Sequence, residues 1–381
     1  MTDTVNEKDR QKRLMLEALA EAVKGKGRTF PNPAVGAVVV RGDRVVGRGF
    51  HKRWGKPHAE VEALSDAGPR KRGADLYVTL EPCSHWGKTP PCTEAIIRSG
   101  IKRVFVACVD PNPVVKGRGL KALRHAGIEV VLGAAAPEAR RLNEAYFKFM
   151  KTGRPFVTLK VAQTLDGKIA TRGGEARWVT SAASRRLAKT MRAEAQAILV
   201  GVKTVMNDDP ELLPVPKRRT YYRCVLDTNL SIPPGSRVVK TARRHPTIVY
   251  CADPHSAKAG ILGKKGVWVR GIDTTAGGVL SVEHVVRDLG CQGVMHLFVE
   301  GGSTVASSFL EGGMIDKIIA FVAPKVLGDV NALGTFSKLD VKHLNSCYAL
   351  RMDEIRRVGK DALITLYPEK RRNSRRRKPG R

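Results

Sequence analysis

The stretch from His58 to Cys92 restricts the fold more than any other part of the chain. It reads His58-Ala59-Glu60, then a short polar and basic interval, then Thr79-Leu80-Glu81-Pro82-Cys83-Ser84-His85-Trp86-Gly87-Lys88-Thr89-Pro90-Pro91-Cys92. One imidazole and two thiols form a three-ligand protein shell for zinc, with the fourth tetrahedral position open to water. Glu60, two residues from His58, can stand beside that open position. Cys83 and Cys92 are separated by eight residues, too many for a tight thiol turn. They still converge if Cys92 opens a helix, and Pro90-Pro91-Cys92-Thr93-Glu94 reads as such an opening. Two alternatives stand beside this reading. The cysteines are buried small residues with His58 on the surface, or the metal is structural and His85 closes the shell.

The same residue types in this order match the zinc deaminase signature, an H-x-E followed by P-C-x-x-C, in which the glutamate moves protons between water and a leaving nitrogen. Zinc brings the pKa of its bound water close to neutrality, so the chemistry runs at physiological pH. The wide Cys83/Cys92 spacing is the one departure from the generic signature.

With 381 residues the chain is too long for one ordinary core, and two domains are expected. No run of 18 or more apolar residues suggests a membrane span, and Met1 to Lys12 shows no signal-peptide pattern. Seven scattered cysteines fit a reducing cytoplasm better than a disulfide framework. The formal net charge is +31, and eight of the twelve residues from Lys370 to Arg381 are Lys or Arg. That run is read as a disordered basic tail. The remaining excess suits phosphorylated substrates, incidental RNA contact or adaptation to ionic conditions.

Apolar periodicity predicts a helix over Gln11–Lys24, a buried strand over Ala34–Val40 and, after the Gly42-Asp43 turn, a strand over Arg44–Phe50. His58 opens the next helix. A strand from Asp75 to Leu80 delivers Glu81-Pro82-Cys83 at its end, and strands at Ile101–Val109 and Ile128–Leu132 flank a helix at Gly117–Ala126. A helix over Glu138–Met150 ends at a break through Pro155, which places the first domain at residues 1–152 and the second at 153–369, with 370–381 as tail. The second half reads as strands near 156–162, 197–202, 224–227, 247–251, 267–270, 297–299, 315–322 and 362–367. Ser181 caps a helix to Glu194, Asn207–Pro210 is a loop, and His284–Leu289 is a short helix. Glu300-Gly301-Gly302-Ser303-Thr304 runs from a strand into a helix capped by Ser or Thr. It is either a phosphate-binding helix start or a tight strand-to-helix turn.

Pro31-Asn32-Pro33-x-Val35-Gly36, His51, His58-Ala59-Glu60, Thr79-Leu80-Glu81-Pro82-Cys83, Gly87-x-Thr89-Pro90-Pro91-Cys92, Asp110-Pro111-Asn112-Pro113 and Gly117-x-Gly119 resemble the bifunctional riboflavin-biosynthesis RibD family. So do Lys160, Leu165-Asp166-Gly167, Gly174-Glu175, Trp178-Val179-Thr180-Ser181, Arg192, Asp208-Asp209-Pro210 and Glu300-Gly301-Gly302 in the second half. The match runs from about residue 10 to 367, and the wide cysteine spacing is the family's own. The resemblance implies an α/β fold in two parts: an N-terminal cytidine-deaminase-like three-layer α/β domain and a C-terminal dihydrofolate-reductase-like α/β domain. The first would deaminate 2,5-diamino-6-(5-phosphoribosylamino)pyrimidin-4(3H)-one to 5-amino-6-(5-phosphoribosylamino)uracil. The second would use NADPH to reduce the ribosyl group to ribityl.

By family position, His58, Cys83 and Cys92 would hold Zn2+ and Glu60 would be the catalytic acid/base. Asn32, His51 and Lys88 would contact the pyrimidine or its phosphoribosyl group. In the reductase, Lys160, Ala176, Arg192, Leu212 and Glu300 would face substrate, and Ala162, Trp178, Thr204, Asp208, Gly302, Ser303 and Thr304 would face NADPH. Without the family, Trp178 reads equally as a core residue and His51 as a surface one. Two departures stand out: Ala176 replaces the usual serine, and Leu213-Pro214-Val215 replaces Thr-x-Arg after Leu212. The missing arginine would bind the substrate phosphate, and Lys217, Arg218 or Arg219 is its expected replacement. The rival reading is a nucleic-acid deaminase drawing on the basic charge, but aromatics are only 6% of the chain, few for base stacking. A zinc-binding module that kept one activity or neither is the other. Nucleic-acid contact is therefore expected only non-specifically through the tail, and a homo-oligomer is left open.

Overall fold

The structure, a computed structural model, describes residues 2–216, 221–337 and 339–369, with side chains from residue 7 onward. Lys217, Arg218, Arg219 and the 370–381 tail lie outside the described residues. The chain divides into two compact units between Gly153 and Arg154.

The first unit runs α1 (Thr2–Val23), β1 (Gly36–Arg41), β2 (Arg44–Phe50), α2 (Ala59–Ala67), β3 (Asp75–Val78), α3 (Cys92–Ser99), β4 (Arg103–Val106), α4 (Arg118–His125), β5 (Glu129–Leu132), α5 (Ala136–Leu142) and α6 (Glu144–Thr152). Its sheet has the order β2-β1-β3-β4-β5. The β1–β2 hairpin and β1–β3 pair are antiparallel, whereas β3, β4 and β5 run parallel. The unbroken apolar run of β1 is explained by its central place, with Ala37 and Val39 facing α2 and the other face covered by α1. Helices on both faces make the three layers.

Close approach positions α2. A Cβ at Gly49 would collide with Ala59 O and Ala63 N, so glycine there lets the helix carrying His58 and Glu60 lie directly on β2. The helix expected over 138–150 is two helices parted at Asn143. Its side-chain amide accepts from Ala34 N at 2.9 Å and donates to Ala34 O at 2.8 Å, a buried pair of bonds that displaces helical geometry.

The second unit runs β6 (Phe156–Thr164), β7 (Lys168–Ala170), α7 (Ala182–Arg192), β8 (Ala197–Gly201), α8 (Val202–Asp208), β9 (Tyr222–Leu226), α9 (Arg237–Lys240), β10 (Thr247–Cys251), α10 (Ala257–Lys264), β11 (Trp268–Gly271), α11 (Val282–Cys291), β12 (His296–Val299), α12 (Ser303–Glu311), β13 (Lys317–Ala323), β14 (Leu333–Gly334), β15 (Leu350–Val358) and β16 (Asp361–Pro368). Its main sheet has the order β11-β10-β9-β8-β12-β6-β13-β16-β15. All pairs from β11 to β13 are parallel, and β16 and β15 close the sheet antiparallel. Leu199, Cys224 and Ile248 belong to one core cluster and their neighbours Ile198, Val225 and Val249 to another. Burial on both faces explains why these strands read as apolar runs without alternation.

Two further expectations need correction here. Asn207 and Asp208 are the last turn of α8 rather than loop, and the chain leaves the helix at Asp209, whose φ is 40°. The cap of α12 is Gly302, with Ser303 already inside the helix. Ser181, in contrast, accepts from Ser184 N as a cap should.

Candidate active sites

His58 stands at the N-cap of α2 and Cys92 begins α3, while Cys83 follows β3 on a loop. The His58 Nδ1 lies 3.2 Å from Cys92 Sγ and 3.5 Å from Cys83 Sγ. The three donor atoms all fall within 4.8 Å of one another, and His85 is not part of the group. Tetrahedral bonds of about 2.0–2.3 Å would place nitrogen and sulfur about 3.6 Å apart, so the set fits zinc with the fourth position open. Contact with Cys92 draws the Cys83 thiol towards ionisation and, reciprocally, pushes the Cys92 thiol up.

The loop that delivers Cys83 is pinned by Glu81. Its carboxylate accepts from Asp110 N at 3.2 Å, Gly117 N at 3.0 Å, Gly119 N at 3.0 Å and Leu120 N at 3.4 Å, so it caps the N-terminus of α4 from a neighbouring strand end. Thr93 N donates to Cys83 O at 3.2 Å, tying that loop to α3.

Glu60 is 3% exposed and its Oε2 has no hydrogen-bond partner. Burial pushes its carboxyl up to about 7, against the pull of His58. It lines a cavity of about 240 Å³ together with Asn32, His51, Trp54, Lys56, His58, Cys83, His85, Lys88, Asp110, Asn112 and Tyr146. His51 is buried, not on the surface: its Nδ1 donates to Pro57 O at 3.1 Å and Asn32 Nδ2 donates to its Nε2 at 3.2 Å. Burial holds its pKa below the usual value, in keeping with a neutral ring at that bond pattern.

In the second unit the expected residues gather where parallel strands end. Leu159 pairs with Val299, which brings Lys160 of β6 level with Glu300 after β12. Arg192 Nε and Nη2 donate to the two Glu300 oxygens at 2.5 and 2.8 Å, and Lys160 Nζ is 3.9 Å from Oε2. Burial alone would raise the Glu300 carboxyl, but Arg192 and Lys160 outweigh it and hold it low. Thr204 and Asp208 lie on α8, which follows β8 directly, and Gly302 starts α12 next to it in strand order. Outside the carboxyl ends of parallel strands is the usual ligand crevice of such sheets.

Three comparisons bear on both units. Residues 8–108 match the family described as the cytidine and deoxycytidylate deaminase zinc-binding region, and residues 155–364 match the RibD C-terminal domain. The riboflavin biosynthesis protein RibD of Aquifex aeolicus is 46% identical over 355 residues, covering 93% of this chain and 97% of that protein. The chain belongs to the RibD family. RibD of Escherichia coli is 37% identical, covering 92% of this chain and 98% of that protein. A solved Acinetobacter baumannii RibD superposes with a TM-score of 0.83 at 34% identity, covering 95% of this chain and all of that one. The Thermotoga maritima deaminase/reductase does so with 0.83 at 36%, covering 95% and 99%. The units are thus the cytidine-deaminase-like and dihydrofolate-reductase-like domains of a bifunctional RibD enzyme of riboflavin biosynthesis, with zinc and NADPH as cofactors.

Against that RibD frame, Trp178 is 61% exposed, so it is no core residue. Arg185 sits 4.1 Å from the ring centroid and Lys325 Nζ donates to Trp178 O at 2.9 Å. Ala176 is exposed and Ala162 half-buried. The Leu212 side chain, 3% exposed, packs in a core cluster with a φ of 54°, which leaves only its backbone for a ligand. Ser303 is buried, while Gly302 and Thr304 are exposed. Arg177 Nε, not foreseen, donates to Asp208 Oδ1 at 3.2 Å. Asp166 accepts from Thr164 Oγ1 at 2.6 Å, Leu327 N at 3.1 Å and Gly328 N at 2.9 Å. These bonds draw its carboxyl down to about 2. The only sequence sign of that role was the Asp-Gly turn at Asp166-Gly167. Trp54 and Tyr146 were missed as cavity lining because nothing local distinguishes them, and Asp110 was noted only as part of the Asp110-Pro111-Asn112-Pro113 motif.

Among the described residues, no helix is long and apolar enough to cross a membrane.

Proposed function

We propose that Glu60, with zinc on His58, Cys83 and Cys92, carries the deamination of the diaminopyrimidine phosphoriboside, and that the crevice around Glu300 carries the reduction. The observation behind the first assignment is an orphaned, buried carboxylate oxygen in a cavity that His58 and Cys83, two of the three converging metal donors, also line. Zinc held by His58, Cys83 and Cys92 would supply a water acidic enough to react at neutral pH. Glu60 takes the proton released as the water oxygen bonds to the ring carbon bearing the 2-amino group. It passes that proton to the departing nitrogen as the carbon–nitrogen bond breaks, and ammonia leaves. Asn32 and neutral His51 offer polar edges to the pyrimidine from the cavity wall.

NADPH held in the second site would supply the hydride for the reduction, and Lys160, Arg192 and Glu300 would hold the ring-opened ribosylamine there. Arg192 and Lys160 against one Glu300 leave a net positive crevice suited to the phosphorylated substrate. Exposed Trp178 offers a ring face to the cofactor, and the N-terminus of α12 offers backbone N–H groups to its phosphates. A reducing compartment such as the cytoplasm suits a centre whose two thiols must stay unoxidised.

The test supplies the diaminopyrimidine phosphoriboside and follows ammonia and NADPH separately. Glu60→Gln is expected to abolish ammonia release with zinc content unchanged, while NADPH oxidation on the deaminated intermediate continues. Ammonia release by that variant at the wild-type rate would remove Glu60 from the mechanism.

A further inference from the structure

The deaminase cavity runs from a buried floor to an exposed rim with a distinct charge pattern. Its three lining carboxylates, Glu60, Glu81 and Asp110, are 3%, 4% and 6% exposed. The rim, by contrast, is made by Trp54 and Lys56 from the loop after β2 and by Lys88 from the loop after Cys83, all three exposed. Lys88 Nζ lies 3.4 Å from the centroid of the Trp54 ring, near the closest approach an ammonium makes to an aromatic face. The loops meet again at Gly55, where a Cβ would stand 3.8 Å from Lys88 Cδ.

A free lysine at a surface rim samples many rotamers, and ordering it on binding costs affinity. We infer that Trp54 is a positioning residue of the deaminase: its ring holds the Lys88 ammonium at the cavity mouth, where with Lys56 it receives the phosphate of the substrate while the pyrimidine reaches Glu60. This rests on the deaminase reading above and adds to it how the enzyme selects a phosphorylated substrate. The charge pattern gives the orientation: both lysines of the lining, Lys56 and Lys88, are exposed at the rim, so a dianion there meets two ammonium groups. The indole is neutral and half-exposed, so its contribution is to fix Lys88 rather than to bind the phosphate.

The experiment measures ammonia release by the full chain with the phosphoriboside and with its dephosphorylated riboside, at low and high salt. Trp54→Leu is expected to lower the preference for the phosphorylated substrate about fivefold, through KM rather than kcat, consistent with an exposed cation–π contact. Trp54→Phe, which keeps a ring, retains most of the preference. Lys88→Met lowers it further and flattens its salt dependence, and adding Trp54→Leu to Lys88→Met has no additional effect. An equal loss from Trp54→Leu in both backgrounds would assign the ring a general structural role and overturn the inference, as would an unchanged preference. If Trp54→Leu folds poorly by zinc content and circular dichroism, Trp54→Gln carries the same expectation. Failure of the wild-type protein to release ammonia from either substrate would instead refute the deaminase reading itself.

Discussion

Replacing Glu81 by glutamine removes one negative charge and one acceptor from a cavity-lining group that is not among the metal donors. The carboxylate serves four backbone N–H groups, two on each oxygen: Asp110 and Gly117 on Oε2, Gly119 and Leu120 on Oε1. The glutamine amide keeps one oxygen, so its NH2 faces the other pair of donors and leaves both unsatisfied in a site that is 4% exposed. A buried donor without a partner costs about 1–3 kcal/mol. Two of them, with the lost charge at the α4 N-terminus, give about 4 kcal/mol. That is a large part of the stability of an ordinary domain, about 5–15 kcal/mol. A Cβ at Gly119 would already collide with Pro82 O, so the loop cannot move towards α4 to compensate. Native-state hydrogen exchange at the amides of Gly117, Gly119 and Leu120 reads the effect where it arises: 4 kcal/mol corresponds to protection lowered about a thousandfold. Zinc should also leave faster, because Cys83 follows Glu81 by two residues. Protection within fivefold of wild type at all three amides would show that the carboxylate is not what holds this loop.

Glu300→Gln leaves Arg192 and Lys160 buried without their counter-charge, and breaking such a pair commonly costs about 3–5 kcal/mol. NADPH oxidation should fall by at least a hundredfold, or about 2.7 kcal/mol in kcat/KM, while ammonia release from the same preparation is unaffected; a parallel loss of both activities would contradict the assignment. Asp166 has a carboxyl lowered to about 2 in the folded chain, below its unfolded value of about 3.9. A lowered acid stabilises above its unfolded pKa and ceases to do so as the pH falls through its folded one. The urea midpoint of the reductase unit should therefore exceed that of Asp166→Asn above about pH 4, with the gap closing towards pH 2. A gap that widens on acidification would show that the bonds to Leu327 and Gly328 do not favour the charged form.

What sequence alone determined is local or repetitive. The Gly42-Asp43 hairpin, the helix starts at His58 and Cys92 and the Ser181 cap depend on residues within one turn of one another, so their chemistry shows in order. The metal donors were legible because few reasons put H-x-E, E-P-C and P-P-C in one short stretch. The β15 strand was not legible: Leu350 to Val358 is exposed along most of its length, without the alternation that marks a half-buried strand, and only pairing with β16 extends it. The same holds for the α8 helix, whose Asn-Asp-Asp end reads as loop until Val205 packs inward. Tertiary structure decided which polar groups are partners. Glu81 meets the amides of residues 29 to 39 positions away, Asn143 reaches Ala34 across 109, and Lys88 finds Trp54 on another loop. A hydrogen bond or cation–π contact depends on ångström-scale geometry that the sequence carries only through the packing of the whole domain. Residue type shows that such a group needs a partner, and the fold selects it.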